Sequence, residues 1–223
     1  MNIYEGKTIA IVGPALNALE KADFSELDQF DFVCRTNLFF LAEKTVDADP
    51  MRCEVLALNQ QACRIYAQRP LIPKMQDVYQ FLVKKRTHYN RFLRPKGYMS
   101  HCNILPRPKN YRKRKRKRQR HPYLGSFILN YFYRAGVSKI KVFGMDFYYH
   151  SFAKKENYPE HYLPEDLCQP EGTNAEWRDH SLISDLRFWR DIFINGKEIL
   201  SFDEPTDYYF HKQLIEYGVS YER

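Results

Sequence analysis

"KTIAIVGPAL", residues 7–16, decides the fold. Thr8 to Val12 is a short apolar run of the kind that forms a strand buried on both faces; Gly13 then makes a tight turn, and Pro14 stands where a helix begins. A nucleotide-binding α/β domain usually opens in this way. A glycine after a first strand is common, however, and this one is not part of G-x-G-x-x-G, so the fold assignment needs the strands and helices further along the chain.

Two further short strands are expected in "DFVCRTN" (31–37) and "CEVLALNQ" (53–60), each running out at an asparagine. Ligands of open α/β sheets sit beyond the carboxyl ends of strands, so Asn37 and Asn59 are placed to face one crevice, as ligand contacts or as strand-end caps. "YLGSFILNYFYRAG" has the apolar content of a buried helix ending at Gly136, and "KIKVFG" (139–144) makes a central strand. A helix from about His180 to Ile194 and a last strand in "KEILSF" (197–202) complete the alternation. Strand alternating with helix predicts a single Rossmann-like, doubly wound, mostly parallel sheet. Between these parts, residues 69–121 are broken by Pro70, Pro73, Pro95, Pro106 and Pro108 and read as an acceptor-side insertion. Residues 149–179 are polar and tyrosine-rich and read as a lid.

With 223 residues, 44% of them hydrophobic, the chain can bury a real core, and one domain is expected. No run approaches the roughly 20 apolar residues of a membrane span, and the first residues lack the layout of a signal peptide, so the expected compartment is the cytoplasm. The cysteines at 34, 53, 63, 102 and 168 are odd in number and lack C-x-x-C spacing, which argues against a disulfide framework or a zinc site.

The net charge of +8 is concentrated in "RKRKRKRQR", where Arg112, Lys113, Arg114, Lys115, Arg116, Lys117, Arg118 and Arg120 are eight cations without an anion. Removing them from the 35 Lys and Arg leaves 27, matching the 27 acidic residues, so the rest of the chain is neutral. Such a run repels itself unless a polyanion or salt screens it, which makes it a candidate binding site for a polyanionic acceptor or a solvated loop.

Chemistry is concentrated in two other stretches. "VFGMDFYYHSF" (142–152) begins as a strand and, past Gly144, sets Asp146, Tyr148, Tyr149 and His150 at a strand end. "DHSLISD" places His180 five residues before Asp185, near enough to one helix face for support, and an imidazole can take up a proton at neutral pH. His161, in "EHYLPED", reads as a lid residue. Asp47 and Asp49 have the D-x-D spacing that some sugar transferases use for a divalent ion, but Asp is a common turn residue and Pro50 follows; no metal is expected.

In this order the pieces resemble sialyltransferases, chiefly those of bacterial family 42 and more distantly those of family 29. "IAIVGPAL" is similar to the family's first strand and turn, and "FDFVCRTNLFF" to its strand with an arginine and an asparagine, here Arg35 and Asn37. Asn59 falls where a further nucleotide-contacting asparagine is expected. "GSFILNYFYRAGVSKIKVFGMDFYY" is similar to the helix-strand unit, and "HSLISDLRFW" to the His, Ser, Asp stretch. The likeness covers residues 7–60 and 122–205.

The resemblance implies a metal-independent inverting glycosyltransferase without a cofactor, using a nucleotide-sugar donor like CMP-sialic acid. His180 matches the general base, with Asp185 behind it, and Tyr148 matches a tyrosine that hydrogen-bonds the departing phosphate. Gly13, Pro14, Asn37, Asn59, Gly125, Gly144 and Asp146 would form the donor site, with backbone N–H groups near Gly13 or Gly125 assisting at the phosphate. The chain also departs from the family. Val12 stands where family 42 has an asparagine, Ala15 where it has a serine, and Tyr123 and Leu124 replace small hydroxyl residues. Several polar groups around a CMP donor are thus missing. The basic run then points to the acceptor: a phosphorylated lipooligosaccharide glycan at a membrane surface, or DNA with hydroxymethylated bases and a donor other than CMP-sialic acid. A third reading is a non-catalytic nucleic-acid-binding protein on a transferase scaffold. The sequence leaves the oligomeric state open.

Overall fold

The computed structural model of the chain describes residues 2–37, 52–60, 62–63, 78, 80–84, 90–91, 102–106, 123–147, 149, 182–196 and 198–221. Within these, seven strands form one sheet in the order β5-β4-β3-β2-β1-β6-β7. The strands are β1 (Thr8–Val12), β2 (Phe32–Thr36), β3 (Val55–Leu58), β4 (Gln80–Val83), β5 (Cys102–Ile104), β6 (Lys139–Phe143) and β7 (Leu200–Phe202). Every neighbouring pair is parallel, so the expected mostly parallel sheet is parallel throughout. The helices are α1 (Leu16–Leu19), α2 (Leu124–Ala135), α3 (Leu182–Asn195) and α4 (Glu204–Glu216), with a 3-10 helix at Phe24–Gln29.

The apolar run of β1 is buried on both faces, as a central parallel strand must be. Ile9 and Ile11 join the large core with Phe127, Ile128 and Phe132 of α2 and Leu186 and Trp189 of α3. Ala10 and Val12 face the other way, onto Leu19, Phe24, Leu27 and Phe30. Helix α2 ends as read from the sequence: Gly136 takes the left-handed conformation at φ 75° and its N–H returns to Tyr133 O.

Two expectations change. The stretch 69–121 is not simply an insertion, because β4 and β5 lie within it and complete one flank of the sheet. Its prolines fall outside both strands, so they punctuate the segment without breaking these pairings. Helix α4 was not read from the sequence, although Asp203 caps it through Thr206 N and Pro205 occupies its first turn. The basic run 112–120 and nearly all of the proposed lid lie outside the described residues. No helix among the described residues is long and apolar enough to cross a membrane. Cys34, Cys53, Cys63 and Cys102 are free thiols, and burial pushes Cys63 up to about 12 and Cys102 up to about 11, which keeps both protonated at neutral pH.

The strand order reverses between β1 and β6, and there two turns meet with no side chain between them. Gly13 N–H donates to Phe143 O at 2.7 Å, and Ala15 N–H to Gly144 O at 2.9 Å. A Cβ on Gly13 would lie 2.7 Å from Gly144 O and overlap Met145 Cγ. Gly144 has φ 64°, and a Cβ there would run into Leu19. Gly13→Ala is therefore expected to cost about 2 kcal/mol or more, since the group it meets is rigid backbone. Urea denaturation of the variant beside the wild type measures this, and equal stability would show that the turns can separate freely.

Candidate functional site

The carboxyl ends of the strands gather most of the sequence-predicted donor-site residues on one edge of the sheet. Asn37 follows β2 and Asn59 follows β3, and the two are joined directly: Asn59 N–H donates to Asn37 Oδ1 at 3.2 Å. Asn37 is in the left-handed region at φ 55°, which its short polar side chain tolerates. Asn59 Oδ1 in turn accepts Ala62 N–H at 2.8 Å, capping the chain as it turns away from the sheet. Both amide oxygens are thus engaged locally. Among the described residues neither Nδ2 shows a hydrogen bond.

Val12 and Ala15, where the resemblance leads one to expect polar groups, are 1% exposed. Val12 packs with Leu19 and Phe143, and Ala15 with Ala18 and Tyr209. These positions belong to the core beneath the switch point and offer nothing to a ligand. Gly13 has its N–H on Phe143 O, so its role in the described structure is close approach rather than donation. Arg35 is fully buried and donates Nε–H to Arg52 O at 2.8 Å, serving the interior of the sheet.

Helix α2 starts at the same edge. Its N-cap residue Tyr123 supplies no side-chain cap, and the acceptor comes instead from α3. Asp185, 3% exposed, accepts Tyr123 N–H at 3.1 Å and the hydroxyl of Ser126 through Oδ1. Trp189 Nε1–H donates to Ser126 Oγ at 2.9 Å, closing a buried Trp–Ser–Asp chain between the two helices. A carboxylate at a helix N-terminus is favoured by the exposed N–H groups and the helix dipole. The sequence suggested Asp185 as support for His180. His180 lies outside the described residues, and the partners seen for Asp185 are those of α2. Gly125, in the first turn of α2, admits Met145: a Cβ there would sit 3.1 Å from Met145 Cε.

Past β6, Gly144, Met145 and Asp146 run under α4. Met145 N–H donates to Thr206 Oγ1 at 3.2 Å, and Tyr149 N–H to Asp146 O at 2.9 Å. Asp146 is 2% exposed, and its carboxylate adds to the burial that raises the Tyr209 hydroxyl pKa. Tyr148 is outside the described residues, between Phe147 and Tyr149, which are within them. The sequence reading missed Asp203, whose signal was the D-E-P-T helix start at 203–206. It follows β7, donates its N–H to Val142 O at 2.9 Å, and accepts Thr206 N–H at 3.1 Å. Burial pushes its carboxyl up to about 6, against the opposing pull of Thr206 and Lys141. Its Oδ2 is buried and has no hydrogen-bond partner among the described residues.

Among the described residues no group of three His, Cys, Asp or Glu side chains comes together to hold a metal, and Asp47 and Asp49 lie outside them. The basic run is outside them as well.

No family model matches the chain, and no curated protein does. Solved structures do. The sialyltransferase CstII from Campylobacter jejuni, in complex with the substrate analogue CMP-3FNeuAc, superposes over 88% of this chain and 81% of its own, at 17% identity and TM-score 0.56. A CST-II variant in complex with CMP covers 88% and 81% at 15% identity and TM-score 0.59. An alpha-2,3-sialyltransferase from the same organism in apo form covers 91% and 78% at 13% identity and TM-score 0.56. The chain thus has a sialyltransferase-like fold.

Two of the buried carboxylates at this edge, Asp185 and Asp203, make opposite contributions to stability. Asp185→Ala should destabilise the protein by about 1–3 kcal/mol, because Tyr123 N–H and Ser126 lose a buried acceptor. Chemical denaturation measures the loss; a variant of unchanged stability would remove the capping role. Asp203 works in the opposite sense. Its folded pKa of about 6 exceeds the ordinary 3.8, so the stability tied to its protonated form is complete below about pH 3.8 and lost as pH rises through about 6. Asp203→Asn keeps an acceptor for Thr206 and never ionises. Relative to wild type, it should gain up to about 3 kcal/mol between pH 4 and pH 7.5. A stability difference that is flat across this range would show that the Asp203 carboxyl is not raised.

Proposed function

We propose that the chain is a nucleotide-sugar-dependent glycosyltransferase, moving a sugar from a donor like CMP-sialic acid to an acceptor hydroxyl with inversion and without a metal ion. The observation that carries the reading is the shared edge. The turn after β1, the paired amides of Asn37 and Asn59, the start of α2 and the Gly144–Asp146 run all lie at the carboxyl ends of a parallel sheet, on either side of its switch point. That is where open α/β sheets bind nucleotides. The fold shared with CMP-binding sialyltransferases supports the same reading.

In this mechanism the acceptor oxygen attacks the anomeric carbon as its proton passes to the imidazole of His180. The new glycosidic bond forms while the bond from that carbon to the phosphate oxygen breaks, and the nucleoside monophosphate leaves with the electron pair. The phenol of Tyr148 donates a hydrogen bond to the departing phosphate, offsetting charge that grows as the bond breaks. The Nδ2 groups of Asn37 and Asn59 suit the neutral acceptor atoms of a nucleoside better than its phosphate, because they carry no charge. The eight cations of 112–120 would draw a polyanionic acceptor, either a phosphorylated glycan or hydroxymethylated DNA.

His180→Ala should abolish consumption of CMP-N-acetylneuraminic acid while CMP affinity stays within a few fold, and Tyr148→Phe should lower turnover about a hundredfold. Full activity in His180→Ala would remove the base. Running the same assay over a panel of nucleotide sugars, with glycan or hydroxymethylated DNA as acceptor, identifies donor and acceptor together.

A further inference from the structure

Helix α4 holds the strand-end turn from several of its positions. The turn spans 146–149 and is closed by Tyr149 N–H donating to Asp146 O at 2.9 Å. Just ahead of it, Met145 N–H is held by Thr206 Oγ1. Phe147, at φ 48°, puts its ring 5.0 Å from that of Phe210 and 5.2 Å from that of Trp189. The Tyr149 ring lies 5.4 Å from the ring of Tyr209, which is itself seated on Ala15, just before α1, and Ala18 within it. The ammonium of Lys212 stands 4.2 Å from the Tyr149 ring centroid and donates to Tyr208 OH at 3.0 Å. Thr206 lies three and four residues before Tyr209 and Phe210, and Tyr209 three before Lys212, so one broad face of the helix meets the strand end and the turn.

Of these contacts the one to Lys212 is electrostatic, and it adds to the packing of the Tyr149 ring on Tyr209. A cation over an aromatic face is attracted by the ring quadrupole, which fixes the ring without burying it. Tyr208, at i−4 on the same helix, holds the ammonium from the other end. The hydroxyls of Tyr149, first, and of Tyr208 keep the Lys212 pKa above its ordinary value, so the cation persists at any working pH.

We propose that Lys212 is a positioning residue for sugar transfer: by holding the ring of Tyr149 it keeps closed the turn that follows the Gly144–Asp146 run at the strand-end edge. The contact stands on the geometry alone, whereas its consequence for turnover rests on the proposed function.

Two variants and two readouts separate these. Lys212→Met keeps the stem and removes the charge; Lys212→Arg keeps a cation that can stack on the ring. Amide hydrogen exchange of the peptide containing Tyr149 reads the turn directly, because its N–H is protected only while the turn is closed. Exchange there should speed up at least about tenfold in Lys212→Met, with α2 and β1 unchanged, and return close to wild type in Lys212→Arg. In the transfer assay with CMP-N-acetylneuraminic acid, Lys212→Met should lower kcat about tenfold with donor KM within about twofold, and Lys212→Arg should restore kcat. Unchanged exchange in Lys212→Met overturns the clamp. Faster exchange with unchanged kcat overturns its part in transfer. Wild-type protein inert toward every nucleotide sugar sinks the proposed function instead, and the exchange arm then still decides the clamp.

Discussion

The contact between two backbones at the switch point, Gly13 against Gly144, is the constraint on which the rest is built. It closes the gap between β1 and β6 to the width of a peptide plane, with the Gly144 carbonyl accepting from Ala15. Because nothing separates the turns, α1 comes close enough for Leu19 to lie against Gly144 and for Ala15 and Ala18 to receive Tyr209. Helix α4 is thereby set against both α1 and the end of β6. A side chain at either glycine would force these elements apart, because close-packed interiors transmit such displacements.

Polar side chains along this edge mostly hold backbone. Asn59 caps the chain after β3, Asp203 caps α4, and Asp185 caps α2 from a neighbouring helix. Asp185 and Asp203 are therefore tied to helix starts, and the side-chain nitrogens of Asn37 and Asn59 are neutral donors for which the described residues show no hydrogen bond. Binding built from such donors selects by hydrogen-bond geometry rather than by net charge. The formal positive charge of the chain is concentrated in the run 112–120, which lies outside the described residues.

Much of the core was legible because its signals are local. β1 is an apolar run with both faces buried, β6 carries buried Ile140, Val142 and Phe143 up to a glycine turn, and α2 ends at a glycine whose left-handed conformation other residues resist. β4 and β5 were hidden by their length. Gln80–Val83 and Cys102–Ile104 are four and three residues, set among prolines and charges, and their strand character comes from pairing with β3 and with each other. A short segment carries too little periodicity to declare itself. Helix α4 announced its start at Asp203 but shows Tyr208 and Ile215 to solvent, which blurs the pattern of a single buried face.

The sequence by itself determined the parallel α/β class, the glycine turn after the first strand and the asparagines at two strand ends, because each is set by neighbours within a few positions. Only the tertiary structure decided that Asp185 serves a helix 60 residues earlier, that Val12 and Ala15 are core, and that α4 reaches back to the turn after β6. Those relations join residues far apart in the chain. They exist only once the sheet has brought its strand ends to one edge, and no local pattern encodes which distant partner a buried carboxylate or a lysine will meet.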